Sequence, residues 1–121
     1  LKIISMNCRG IRDVSKRRDV LHYLRQKDAN VICLQDTHLM AGEVNEVRSQ
    51  WGYECILSGC KRDARGVAIL FQNNFQYKML EQKADQDGNF LIAKIDVNEN
   101  IFTIVNIYGP NQDSPKSSMK I

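Results

Sequence analysis

The chain has 121 residues, of which 43% are hydrophobic and 26% charged, and a formal net charge of +3. This composition is typical of one globular domain with a hydrophobic core. It excludes a membrane-spanning chain, because no apolar run approaches the roughly 18 residues that cross a bilayer, and the first residues lack the pattern of a signal peptide. We therefore expect an intracellular protein, nuclear or cytoplasmic, without a membrane partner.

The predicted elements alternate between strands and helices in the first half of the chain and are all strands in the second half. Apolar runs and two-residue alternation predict strands, whereas 3.6-residue periodicity predicts helices. In chain order they are a strand over 1–6, a helix over 16–27 with Ser15 as N-cap, a strand over 31–34, a helix over 42–50 ended by Gly52, and strands over 53–58, 66–71, 75–82, 90–97 and 101–108.

The connections between these elements indicate the fold class. The turn signals at 87–89 and 98–100 join the last three strands into an antiparallel meander. The early helix between two strands predicts a crossover and therefore a mixed sheet in a layered α/β or α+β fold. Because residue 1 is Leu and the polar tail closes no element, we expect the sequence to be incomplete.

Three predicted strands end in polar side chains: Asn7, then Gln35 and Asp36, then Asn106 and Tyr108. Sites in open α/β sheets form beyond the carboxyl ends of strands, so we expect these ends to converge. A carboxylate beside a buried strand is costly unless it is paired or metal-bound, and one carboxylate can anchor Mg²⁺ when a phosphate also coordinates. Asp36 is therefore the predicted metal ligand, with a turn cap as the alternative.

Other candidate groups are interpreted as structural. The cysteines lack C-x-x-C spacing, which favours reduced thiols over a zinc site or disulfides. His38 fits a loop residue better than a general base, and Trp51 and Tyr53 fit core anchors better than a base-stacking platform. Residues 9–27 contain seven basic and two acidic side chains, which indicates either a polyanionic partner or a solvated helix face.

Four segments together resemble a known family. The segments MNCRGI, ICLQDTHL, RGVAIL and VNIYGPN occur in the order and at the separations of the endonuclease/exonuclease/phosphatase superfamily. The resemblance is closest to the N-terminal half of the endonuclease domain of LINE-type non-LTR retrotransposons. It implies a four-layered α/β sandwich with mixed, largely antiparallel sheets, of which residues 1–121 form an incomplete domain. It also implies hydrolysis of phosphate esters with Mg²⁺ or Mn²⁺.

The resemblance assigns roles to individual residues. Asn7 would lie near the metal and the phosphate, Asp36 would bind the metal, Tyr108 would position the scissile phosphate, and Asn111 would lie at the edge of the site. DNA is the implied partner, and in the family a reverse transcriptase domain on the same polyprotein extends the nicked strand. The implied phosphate contacts are Arg9, Arg12, Arg17, Arg18, Lys61 and Arg62.

Two departures from the family pattern limit the expected activity. The family's G-D-x-N and S-D-H segments have no counterpart before Ile121, and Asp36 stands where the family has glutamate. We therefore expect a fragment of a Mg²⁺-dependent DNA endonuclease that is inactive alone. Two alternatives stay open: a degenerate, non-catalytic module that binds nucleic acid or protein, and a phosphatase of the same superfamily.

Overall fold

A computed structural model describes residues 1–60 and 65–109. Its elements follow the predicted order, with bounds that differ by a few residues. They are β1 (Ile3–Asn7), α1 (Val14–Arg25), β2 (Val31–Gln35), a short 3₁₀ turn (Ala41–Glu43), α2 (Val44–Trp51), β3 (Cys55–Ser58), β4 (Val67–Phe71), β5 (Lys78–Ala84), β6 (Phe90–Val97) and β7 (Asn100–Ile107).

The strands form two sheets in the described part of the chain. The first has the order β1-β2-β4-β3, in which β1 and β2 are parallel and the other neighbours antiparallel. The second is the predicted meander, β5-β6-β7, with antiparallel pairing throughout. The α/β fold class with mixed, largely antiparallel sheets is thereby confirmed.

The first sheet is buried on both faces, which explains its continuous apolar runs. All five residues of β4 and the first four of β2 are buried. On one face they pack with α1 and α2, where Trp51 is fully buried and its indole N–H donates to the Phe71 carbonyl at 3.0 Å. On the other face they pack against the second sheet. The described residues therefore form three layers: helices, a four-stranded sheet and a three-stranded sheet.

Helix α1 begins earlier than predicted. Its N-cap is Asp13, whose carboxylate accepts a hydrogen bond from the Lys16 backbone N–H at 2.8 Å, so Ser15 lies within the first turn and the prediction of Ser15 as the cap was wrong. Helix α2 ends as predicted, at Gly52 with φ of 90°. Neither helix nor any other described helix is long and apolar enough to cross a membrane.

The four cysteines, Cys8, Cys33, Cys55 and Cys60, are buried as free thiols. Burial raises the pKa of Cys8 to about 12 and the pKa of Cys33 and of Cys55 to about 11. These three side chains are therefore protonated at neutral pH and pack as small apolar groups.

Candidate functional site

The carboxyl ends of β1 and β2 lie side by side, because the two strands are parallel and Asn7 is the register partner of Gln35. Beyond the strands the two chains stay hydrogen-bonded in an irregular way. The N–H groups of Cys8, Gly10 and Ile11 donate to the carbonyls of Gln35, Asp36 and Thr37, at 2.8, 2.7 and 2.8 Å. Asn7 and Asp36 are thus held at the same edge of the sheet, which we call the rim.

Two further loops join the rim by backbone hydrogen bonds. Thr37 N–H donates to the Gly66 carbonyl at 3.0 Å, and His38 N–H donates to the Arg65 carbonyl at 2.8 Å. The loop between β5 and β6 then accepts from the Gly66 and Tyr108 N–H groups through the carbonyls of residues 88 and 89, at 3.0 and 2.7 Å. A continuous backbone network therefore connects the residues after β1, β2 and β7 with those before β4.

Left-handed backbone is concentrated in this network. Of the seven non-glycine residues with positive φ in the described ranges, four are at the rim: Arg9 (53°), Asp36 (57°), His38 (63°) and Arg65 (71°). Non-glycine residues adopt this conformation at a cost and usually at turns or functional sites. These positions were not predicted, because Asp and His tolerate left-handed backbone but, unlike glycine, do not mark it in a sequence.

Asp36 does not lie free at the rim. Its Oδ1 accepts a hydrogen bond from His38 Nε2 at 2.8 Å, and the two side chains are 19% and 26% exposed. The imidazole packs over Gly10 so closely that a Cβ there would lie 2.6 Å from His38 Nδ1. The structure thus pairs His38, interpreted from the sequence as a loop residue, with the predicted metal ligand.

Asn7 is the last residue of β1, and Tyr108 is the first residue after β7. Asn7 is exposed at the end of β1, where its side-chain oxygen accepts from the Arg9 N–H at 3.0 Å. Tyr108 follows β7, is half-buried and packs against the core between the sheets. Asn111, the fourth predicted site residue, lies outside the described residues.

A buried amide joins the two sheets beneath the rim. Asn106 donates from Nδ2 to the carbonyls of Leu34 and Ala68, at 3.0 and 2.7 Å, and accepts from Gln35 Nε2 at 2.8 Å. Gln35 also donates to Ser5 Oγ at 2.9 Å. Asn106 faces inward like Ile104, two residues before it, so strand alternation would have found its burial but not its partners.

The predicted phosphate contacts divide into three groups. Arg9, Arg12 and Arg18 are exposed, and the Lys16 ammonium lies 3.2 Å from the Arg9 carbonyl, beside the rim. Lys61 and Arg62 lie outside the described residues. The structure contradicts the prediction that Arg17 contacts phosphate, because this side chain is buried.

The Arg17 side chain has no exposed surface, so it cannot contact DNA. Its guanidinium donates to Glu46 Oε2 at 2.7 Å, to the Gln50 side-chain oxygen at 2.5 Å and to the Ile11 carbonyl at 3.0 Å. Position 17 precedes the buried Leu21 and Leu24 by four and seven residues, so it lies on the inner face of α1. Arg17 therefore joins α1 to α2.

The rim has the donor atoms of a simple magnesium site. Within the described ranges no group of three or more His, Cys, Asp and Glu side chains is arranged to hold a metal ion. The Asp36 carboxylate and the Asn7 amide oxygen are hard oxygen donors, which suit Mg²⁺ or Mn²⁺ completed by water and a substrate phosphate. The residues present therefore fit such an ion but not a metal held entirely by the protein.

Several known proteins are similar to this chain in sequence or in fold. No protein-family model matches the chain. It is 31% identical over 118 residues to an exodeoxyribonuclease of Bacillus subtilis, covering 92% of this chain and 43% of that protein. It is 26% identical over 110 residues to the 149 kDa protein of transposon TX1 from Xenopus laevis, covering 91% and 8%. The AP endonuclease LMAP from Leishmania major has the same fold, with a TM-score of 0.70 and 20% identity over 97% of this chain and 42% of that one.

These similarities in sequence and fold fit the endonuclease/exonuclease/phosphatase superfamily. The chain spans less than half the length of these relatives. The superfamily assignment made from four short motifs is confirmed. The polar ends of β1, β2 and β7, which carry three of those motifs, are the parts of the chain that the backbone network joins at the rim.

Proposed function

We propose that this chain supplies the first half of the active site of a Mg²⁺- or Mn²⁺-dependent DNA endonuclease. The observation that supports the proposal is the chain of backbone hydrogen bonds that links the segments carrying Asn7, Asp36 and Tyr108, although these residues are separated by up to about a hundred positions in the sequence. Similarity to an exodeoxyribonuclease makes a nucleic acid the first substrate to test.

Each rim residue has a role that its chemistry allows. Asp36 would hold the cation through Oδ2, because Oδ1 accepts from His38. The Asn7 amide and the Tyr108 hydroxyl would bind and orient phosphate oxygens without adding charge. A bound divalent cation supplies positive charge that stabilises the phosphate and the leaving oxygen during in-line attack by water.

The exposed arginines beside the rim would guide the DNA. Arg9, Arg12 and Arg18 place positive charge on the surface that leads from the rim along α1. Phosphate contacts of this kind position DNA without reading its sequence and weaken steeply with salt. Lys61 and Arg62 are proposed as further contacts.

A retrotransposon origin is the finer proposal. It rests on the similarity to the transposon TX1 protein and on the VNIYGPN segment. In that setting the nick leaves a 3′-hydroxyl for a reverse transcriptase domain of the same polyprotein. A complete catalytic site would also need the G-D-x-N and S-D-H segments, which this sequence lacks, so we expect residues 1–121 to be inactive alone.

The deciding experiment measures Mn²⁺ binding to residues 1–121 by electron paramagnetic resonance, with and without a short DNA duplex. We expect the duplex to strengthen Mn²⁺ binding, because its phosphate completes the coordination shell. Asp36→Ala should abolish that binding. Asp28→Ala is the matched control, because Asp28 is an exposed carboxylate at the opposite end of the sheet, paired with Lys2 at 2.8 Å.

Two outcomes would contradict the proposal. Equal Mn²⁺ binding by the native chain and Asp36→Ala would remove the metal role of Asp36. Relaxation of supercoiled plasmid by residues 1–121 with Mg²⁺, abolished by Asp36→Ala, would show that the missing segments are not required.

A non-catalytic nucleic-acid-binding module is the second candidate, and a specific observation favours it: the short Asp36 side chain is already engaged by His38. Its signature is salt-dependent duplex binding that is unchanged by Mg²⁺ and by Asp36→Ala but weakened by charge reversal at Arg18. No contact in the described residues favours the phosphatase alternative over these two.

A further inference from the structure

From the hydrogen bonds of the loop between β5 and β6, we infer that Asp85 is a positioning residue for the rim, acting on Tyr108 and on the segment around Gly66. The inference deepens the proposed function, since it assumes that Tyr108 contacts the phosphate. Asp85 itself is not at the rim and touches no predicted site residue. In the sequence it lies between the predicted strand over 75–82 and the turn signal at 87–89, and no role was predicted for it.

The Asp85 carboxylate organises the loop that follows it. Its Oδ1 accepts from the Asn89 N–H at 2.8 Å and from the Phe90 N–H at 3.3 Å, and its Oδ2 accepts from the Asn89 side-chain amide at 2.9 Å. Hydrogen bonds to a charged acceptor are stronger than those between neutral groups. The carboxylate thus fixes both the backbone and the side chain of Asn89.

The same carboxylate joins this loop to the first sheet. The hydroxyl of Ser58, a buried residue at the end of β3, lies 2.9 Å from Asp85 Oδ1 and 2.9 Å from the Asp85 carbonyl. Partial burial raises the pKa of Asp85, but hydrogen bonds from Asn89, Ser58 and Phe90 outweigh this effect and hold the pKa below its usual value. The carboxylate is therefore ionised and bonded at neutral pH.

Two carbonyls of this loop accept hydrogen bonds from residues of the rim network. The Asn89 carbonyl accepts the Tyr108 N–H at 2.7 Å, and the Gly88 carbonyl accepts the Gly66 N–H at 3.0 Å. Gly88 has φ of 77° and approaches so closely that a Cβ would lie 2.6 Å from the Gly66 nitrogen. Gly66 in turn accepts from Thr37, the residue between Asp36 and His38.

One carboxylate is therefore linked to Tyr108 and to the segment around Gly66 by two short series of hydrogen bonds. If the carboxylate loses its charge and one of its two acceptor oxygens, as in Asp85→Asn, its bonds to Asn89 weaken and both carbonyls lose their fixed positions. Misplacement of a catalytic group by about 1 Å costs on the order of a hundredfold in rate. The conformation of this loop therefore determines the positions of Tyr108 and of the segment around Gly66, which a simple connection between two strands would not do.

Asp96 provides a matched control at the other end of β6. Its Oδ1 accepts from the Glu99 N–H at 2.8 Å and so closes the turn between β6 and β7. Asp85→Asn and Asp96→Asn therefore make the same chemical change at the two ends of one strand. Of the two loops that flank β6, only the one held by Asp85 is joined to the rim by hydrogen bonds between described residues.

The test is amide hydrogen exchange by NMR on residues 1–121. In Asp85→Asn we expect the Gly66 and Tyr108 amides to exchange about tenfold faster, while the central amides of β6 keep their rates. In Asp96→Asn the Glu99 amide should exchange faster and the rim amides should not change. Ser58→Ala, which removes one donor to the carboxylate, should give a smaller effect in the same direction as Asp85→Asn.

Unchanged rim amides in Asp85→Asn would overturn the inference. Equal acceleration of every amide in β5, β6 and β7 would do the same, because it would show that Asp85 only stabilises the sheet.

A second measurement links the loop to the site. We expect Asp85→Asn to weaken the Mg²⁺-dependent part of duplex binding by about tenfold, the value of one hydrogen bond to a charged phosphate, and Asp96→Asn to leave it unchanged. Equal affinities in the two variants would overturn the link between the loop and phosphate binding. If the native chain shows no Mg²⁺-dependent binding, the proposed function fails, and the exchange rates still decide whether Asp85 positions the rim.

Discussion

Two charged side chains, Arg17 and Asp36, are removed from bulk solvent in very different ways. The Arg17 guanidinium has no exposed surface and is bonded to Glu46, Gln50 and the Ile11 carbonyl. The Asp36 carboxylate is partly exposed and, among the described residues, accepts a hydrogen bond from one side chain, that of His38. The first charge is satisfied by the protein, whereas the second has acceptor capacity left for a ligand.

The backbone conformation also differs between the two residues. Arg17 lies within a regular helix, while Asp36 and His38 both have left-handed φ and are held by bonds to neighbouring loops. Residues with strained backbone conformations are concentrated at active sites and ligand-binding sites, where the surrounding structure maintains them. The comparison therefore assigns Arg17 a structural role and supports the proposal that Asp36 is available to a ligand.

The largest effect is expected from Arg17→Ala. Removing the buried Arg17 side chain leaves the Ile11 carbonyl without its donor and opens a void between α1 and α2, which together cost about 3 kcal/mol, whereas the Glu46 carboxylate is half-exposed and can be solvated. We expect the free energy of unfolding in urea to fall by this amount. Arg18→Ala is the matched control: it changes an exposed neighbour and should alter stability by less than about 0.5 kcal/mol.

The same two variants separate folding from DNA binding. Arg18→Ala should weaken duplex binding and lower its salt dependence, since one phosphate contact is lost. Arg17→Ala, measured where it is still folded, should bind with unchanged salt dependence. A stable Arg17→Ala protein with weakened DNA binding would reverse the assignment of the two arginines.

A smaller effect is expected at His38. Groups that hydrogen-bond a ligating side chain typically contribute 10-fold to 100-fold to metal affinity, so His38→Gln should raise the Mn²⁺ dissociation constant by about tenfold. His22→Gln is the control, because His22 is exposed on α1 and bonds only to Gln26 among its described contacts. Tighter Mn²⁺ binding in His38→Gln would show instead that the imidazole competes with the cation for Asp36.

Much of the fold could be predicted because β2 and β4 are apolar runs and the residues of β6 alternate between buried and partly buried positions. Residues 90–97 were predicted with the bounds that the structure gives to β6, and 31–34 fall within β2. The start of α1 was wrong because Asp13 and Ser15 are both good caps, and only the local geometry selects between them. β5 begins three residues late because Phe75 and Tyr77 stack on each other in a loop, with ring centroids 5.2 Å apart.

The site was less accessible to sequence reasoning, for two physical reasons. The hydrogen bond between Asp36 and His38 occurs with left-handed backbone at both residues, which no residue type in QDTH demands. Arg17 was grouped with the exposed arginines by its charge, although its spacing from Leu21 and Leu24 places it on the buried face. Charge outweighed periodicity in that prediction, and periodicity was the better guide.

The smallest expected effect is the pH dependence of the Asp85 contribution. Since the pKa of Asp85 is lower in the folded protein than in the unfolded chain, its contribution to stability is fully present above the unfolded pKa of about 4 and is lost as the pH falls through the folded value. The difference in unfolding free energy between the native chain and Asp85→Asn should therefore narrow below about pH 4. A pH-independent difference, measured in urea between about pH 2.5 and 7, would show that Asn at this position costs stability by altering contacts rather than by removing the charge.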